Sequence, residues 1–183
     1  MLGEAKPEPV VVEGKEVPSL ERRFLDHVFS LKARTNVTVQ DYVRHPVLGL
    51  VPAGPPVTKT DVNLILNVGA ENLWKMGTGL GGTAWDSTAS IGVGDSSTPA
   101  AQTQTDLLGL NKAYKVVDSG YPQVSGRTAT WKATFAESEG NFSWQEAVVR
   151  TASTNICLNR IVANMGTKTS AVVRSITIEV TIL

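Results

Sequence analysis

The chain has 183 residues, 42% of them hydrophobic, and its 17 Lys plus Arg balance 17 Asp plus Glu. That length suits one domain with a substantial core, or a domain of roughly 110 residues with an extension. Zero formal charge supplies no cationic footprint for nucleic acid or an anionic membrane, because counterion release needs a local excess of Lys and Arg.

Residues 1–18, MLGEAKPEPVVVEGKEVP, are rich in Pro, Glu and Lys and lack a sustained apolar pattern, so they read as an extended arm. The start carries no signal-peptide pattern and the chain no apolar run of about 18 residues, so a soluble, cytoplasm-made protein is expected. On that route the sequons at Asn36 and Asn141 carry no glycan. From Ser19 to about Arg34, Leu20, Phe24, Val28 and Leu31 recur at helical spacing behind a Ser19 N-cap; Phe29, Val37 and Val39 keep a strand alternative open for part of the region. His45 to Val57, HPVLGLVPAGPPV, is too rich in Pro and Gly for a helix or central strand and reads as a linker or a clamp lying on another surface.

The segment DVNLILNVGAENLWKMG predicts a helix from an N-cap at Asp61 to Gly77, with Val62, Leu66, Gly69 and Leu73 on its apolar face and Ile65 and Met76 beside them. Strands are then predicted near 84–93, 115–117, 127–135, 142–150 and 156–163. In RTATWKATF, Ala129, Trp131, Ala133 and Phe135 alternate with Thr128, Thr130, Lys132 and Thr134, giving one buried and one Thr-rich face. The closing SAVVRSITIEVTIL sorts Ile176, Ile178, Val180 and Ile182 against Ser175, Thr177, Glu179 and Thr181, a half-buried strand whose free edge is expected to template pairing with a neighbour.

Chemical signals are weak. GTGLGG (Gly77 to Gly82) has dinucleotide-loop spacing, but a helix precedes it and a strand follows, the reverse of the required order, so it reads as a connection. Asp86, Asp95 and Asp106 lack the spacing of a calcium loop and read as turn residues. His27 and His45 have no metal-site partners in sequence, and the single Cys157, between Ile156 and Leu158, reads as a small buried hydrophobe. Trp74, Trp85, Trp131 and Trp144 are assigned to the core, with a carbohydrate-stacking site as the alternative. Glu146 breaks the apolar parity of Phe142, Trp144 and Val148, so it is expected to point inward against Arg160 or Arg127. No catalytic, cofactor-binding or metal-binding residues are expected, and the chain reads as a non-enzyme.

The segments LNVGAENL, SIGVGDSSTPAAQTQTDL, RTATWKATF, FSWQEAVV, TKTSAVV and ITIEVTIL follow one another in the order found in bacteriophage virion structural proteins, a group of decoration and tail-associated proteins that the chain resembles from about Asp61 to Leu183. Related proteins often continue the EA of FSWQEA with Gly and an aromatic residue, where this chain has EAVVRTA. The resemblance implies a particle component located in the virion. The combined expectation is a mainly β fold: an antiparallel β-sandwich over 61–183 with one packed helix, and an N-terminal assembly arm over 1–60. Its function would be to dock on the capsid shell as a decoration protein, with a tail- or fibre-associated role or a carbohydrate- or receptor-binding module as alternatives. Its partners would be the major capsid or tail protein and further copies in a symmetric array, with no nucleic acid, membrane or cofactor.

Overall fold

A computed structural model of the chain describes residues 11–12, 15–16, 33–60 and 63–183. Two units are distinguished, Met1–Lys32 and Ala33–Leu183. Within the first, β1 (Val11–Val12) pairs antiparallel with β2 (Lys15–Glu16). The expected helix from Ser19 and the expected arm over 1–18 fall almost wholly outside the described residues.

The second unit is mainly β, with antiparallel sheets that curl and one short helix among the described residues. Its larger sheet is built on β3 (Ala33–His45), followed by β4 (Gly49–Pro52) and β5 (Val57–Thr60), both of which pair with β3 along the same side. The smaller sheet begins with β6 (Asn63–Ile65), which leads into α1 (Asn67–Gly77). It continues with β7 (Ser90–Gly94) and β8 (Lys112–Val116). The chain then returns to the larger sheet with β9 (Gln123–Ser125) and β10 (Thr128–Phe135). Next come β11 (Glu146–Arg150) and β12 (Asn159–Val162) in the smaller sheet, and β13 (Val173–Ile182) in the larger. Strand orders are β4-β3-β13-β10-β9, with β5 beside β3, and β6-β12-β11-β7-β8.

The alternation in β10 and β13 determines the core. Trp131, Ala133 and Phe135 are buried while the intervening Lys132 and Thr134 are not, and Ile176, Ile178 and Val180 face the same apolar cluster. Val37 and Val39 of β3 join them, as do Ile91 and Val93 of β7, Ala147 and Val149 of β11 and Ile161 of β12, so one cluster draws side chains from both sheets. Trp85, Trp131 and Trp144 each satisfy their indole N–H with a backbone oxygen, of Ile156, Trp85 and Gly140 respectively, which removes the cost of burying that donor. Phe135 meets Trp144 edge to face at 5.0 Å.

Five sequence expectations change. The first is that His45 to Val57, expected as an irregular linker, supplies β4 and the start of β5, both paired to β3. The unit starts at Ala33, not 61: β3 pairs with β13 from Ala33↔Ile182 to Tyr42↔Val173, because the Val37/Val39 alternation matches the Ile176/Ile178 alternation opposite. For the same reason β13 is not an edge; it lies between β3 and β10. The predicted helix is shorter than expected, since residues 63–65 pair with Asn159–Ile161 of β12 and helical structure begins only after Leu66. Trp74 is 71% exposed, unlike the other three tryptophans. Gly69 explains how closely α1 sits on the sheet: a Cβ there would collide with the backbone of Leu158.

Candidate functional site

The long polar segment between β7 and β8 is the largest irregular feature of the second unit, and buried charges anchor it. Glu146 opens β11 with its side chain fully buried. Its carboxylate accepts from Arg160 Nε at 2.7 Å, from Gly109 N at 2.6 Å and from Leu108 N at 3.0 Å. Arg160, on the neighbouring β12 and equally buried, uses Nη1 to reach the Thr98 carbonyl and Gln104 Oε1, both at 3.0 Å. One ion pair therefore holds both ends of the segment. Glycine is required where the segment meets it, because a Cβ at Gly94 or Gly109 would strike Glu146, and at Gly109 also Asp95. The expected inward Glu146–Arg160 pair is present; Arg127 is not its partner.

A second cluster fixes the middle of the segment. Asp106 accepts from the Tyr114 hydroxyl at 2.8 Å and from the Cys157 thiol at 3.6 Å, and Arg150 stacks over the Tyr114 ring at 3.7 Å. Burial, reinforced by the Asp106 carboxylate, pushes both the Cys157 thiol and the Tyr114 phenol above their ordinary values. A thiol held protonated is a poor nucleophile, so the geometry makes this a packing contact, in keeping with the small-hydrophobe reading of Cys157.

The other sequence candidates separate. Asp86 closes a turn onto the Thr88 amide and hydroxyl, and Asp95 bridges to Asn111; both carboxyls are held below their ordinary range by the donors they accept from, chiefly the Thr88 hydroxyl and the Asn111 side chain. His45 accepts at Nδ1 from the amides of Val47 and Leu48 in the β3–β4 turn. His27 lies outside the described residues. Among the described residues no group of three His, Cys, Asp or Glu side chains has metal-holding geometry. The GTGLGG connection is clipped to α1: Asn72 Nδ2 donates to the Thr83 carbonyl at 2.8 Å and Thr83 N donates back to Asn72 Oδ1 at 2.9 Å.

The sequence reading missed a third cluster, and it marked the segment of an exposed surface, His45 to Val57, only as a linker or a clamp. Arg174 forms a bidentate pair with Asp41 across β13 and β3 (2.6 and 2.7 Å), lies over Trp144 and donates to the carbonyls of Gly166 and Thr167. Lys168, 1% exposed, lies in the same region. The signal for Arg174 was present, since it occupies the apolar parity of β13 as Glu146 does in β11. The surface is the β3–β4 hairpin. β3 continues to His45 beyond its last partner on β13, and the hairpin with its following corner exposes Val43, Val47, Leu48, Leu50 and Val57, with Val47 84% and Leu48 70% exposed. Arg44 of the hairpin is ion-paired to Glu137.

No protein-family model, curated protein or solved structure matches this chain.

Proposed function

We propose that the chain is a non-enzymatic structural component of a bacteriophage particle, an antiparallel β-sandwich that docks on the capsid shell as a decoration protein and repeats there in a symmetric array. The observation that carries the docking role is the apolar tip of the β3–β4 hairpin. Exposed Val47 and Leu48 at the end of a hairpin that outruns its sheet form the kind of contiguous apolar projection that soluble domains keep for a partner. The ordered resemblance to phage structural proteins supplies the class of partner. The shared core of the two sheets supports the sandwich, and the buried pairs at Glu146 and Arg174 support a stiff module whose charges are committed to holding loops. Docking of this kind assigns to the segment from His45 to Val57 the clamping role expected of it.

The test is incorporation. Val47→Ser combined with Leu48→Ser removes the apolar tip without touching the core, so unfolding should stay within about 0.5 kcal/mol of wild type. The same variant should be depleted from purified particles, and density for the wild-type protein should lie on the shell in a reconstruction. Wild-type incorporation of the variant would rule out the hairpin as the contact, and density confined to the tail would replace decoration by tail attachment.

A further inference from the structure

Lys168 is buried to 1% exposure, yet its ammonium has no carboxylate partner within ion-pair distance among the described residues. Its Nζ lies 2.8 Å from Asn141 Oδ1, with the carbonyls of Glu137 and Thr169 farther off, each at 3.4 Å. The two residues sit on adjacent chain segments. Lys168 N donates to the Phe142 carbonyl at 3.0 Å, and Ser143 bridges to Thr167. The Asn141 carboxamide is also oriented: its Nδ2 donates to the Glu137 carbonyl at 2.8 Å, which turns the oxygen toward the lysine.

We propose that Lys168 and Asn141 are the partners of an intramolecular isopeptide cross-link, formed by attack of the lysine amine on the asparagine carboxamide carbon. The contact at 2.8 Å is to Oδ1, which leaves the amine one bond from the electrophilic Cγ; turning of the Asn141 side chain would bring the two together at the effective concentration of an intramolecular reaction. The neutral amine is the nucleophile, and its share is raised here: burial, followed by the nearby Arg174 guanidinium, lowers the Lys168 pKa against the smaller opposing influences of Asp41, Glu137 and Glu139. The step balances within the chain. Lys168 gives up one ammonium proton, its lone pair forms the new C–N bond, and the bond from Cγ to Nδ2 breaks. The departing nitrogen takes that proton and the second amine hydrogen, so ammonium plus carboxamide become a secondary amide plus an ammonium ion. No oxidant or co-reactant is needed. Asn141 is itself exposed, so the leaving group passes directly to water. The bond would tie the turn after β10 to the approach to β13, beside the Arg174–Asp41 pair.

Intact-mass measurement on the purified wild-type chain, followed by tryptic mapping, tests this without dependence on any phage role. The expected result is a mass short of the sequence value by one ammonia and a branched peptide joining residues 133–150 to residues 161–174, with no cleavage after Lys168. Lys168→Arg, which keeps the charge and donors, should restore the full sequence mass. A full-mass wild type would overturn the proposal and leave Lys168 as a buried ammonium held by carbonyl oxygens. A mass deficit that persists in Lys168→Arg with only linear peptides would also overturn it, because ring closure of Asn141 onto its own backbone would be the cause.

Discussion

Replacing Glu146 with Gln tests how the polar segment between β7 and β8 is held. The change conserves shape, so no cavity forms, but the carboxylate now accepting from Arg160, Leu108 and Gly109 becomes an amide. Its new N–H groups face donors, and Arg160 is left as a buried cation without its counter-charge. Removing one partner of a fully buried pair costs about 3–5 kcal/mol, against a total stability of roughly 5–15 kcal/mol. At about 2–4 °C per kcal/mol for a domain of this size, the melting temperature should fall by roughly 6–20 °C. Urea unfolding followed by tryptophan fluorescence reads the loss directly, since Trp85, Trp131 and Trp144 are buried. The double variant Glu146→Leu, Arg160→Met removes both charges and should recover part of that loss. It should not recover the slow amide exchange of Leu108 and Gly109, whose acceptor is gone. A Glu146→Gln protein that unfolds at the wild-type midpoint, or a double variant with those amides still protected, would refute the assignment of Glu146 as the anchor.

Trp144→Ala should cost about 3–5 kcal/mol in urea unfolding while Trp74→Ala stays within about 0.5 kcal/mol; equal effects would contradict the difference in their burial. The carboxyls of Asp86, Asp95, Glu137 and Glu139 have folded pKa values below the ordinary 3.8 or 4.5, lowered chiefly by hydrogen bonds from Thr88, Asn111, Arg44 and Lys115. Their contribution to stability is complete above those ordinary values and disappears as pH falls through the folded ones, so the urea midpoint should hold at mildly acidic pH and drop below pH of about 4. A midpoint that rose on acidification through that window would reverse the sign. Cys157 should react with a thiol reagent only after unfolding, and modification of the folded protein at the unfolded rate would show that its burial is not maintained.

What the sequence made legible was whatever a strand or turn encodes within a few residues. The period-two sorting in RTATWKATF and SITIEVTIL located β10 and β13, and Glu146 was readable because a charge interrupted an apolar parity. What it hid depends on partners far along the chain. Residues 63–65 continue the helical spacing of α1, and only the backbone of Asn159–Ile161 makes them a strand. The proline-rich 45–57 looks unstructured locally, yet β4 and β5 draw their hydrogen bonds from β3. The final strand looked like an edge because no local rule announces that Ala33–Tyr42 will flank it. Lys168 was invisible for a related reason: its neighbours are loop carbonyls and an asparagine, which leave no periodic trace.

The pairing of β3 with β13 also sets a schedule for synthesis. Asp41 and Arg174 meet although they lie 133 positions apart in the sequence. A growing polypeptide therefore carries β3, with Val37 and Val39 unburied, until β13 has left the ribosome. The larger sheet cannot close its centre before then, whereas β7 and β8 already have each other. Such late, long-range closure favours slow folding and a window in which the β13 side of β3, already paired on its other side with β4 and β5, is open to other chains. Ribosome-bound intermediates ending before Val173 should then be the species that chaperones hold and proteases cut.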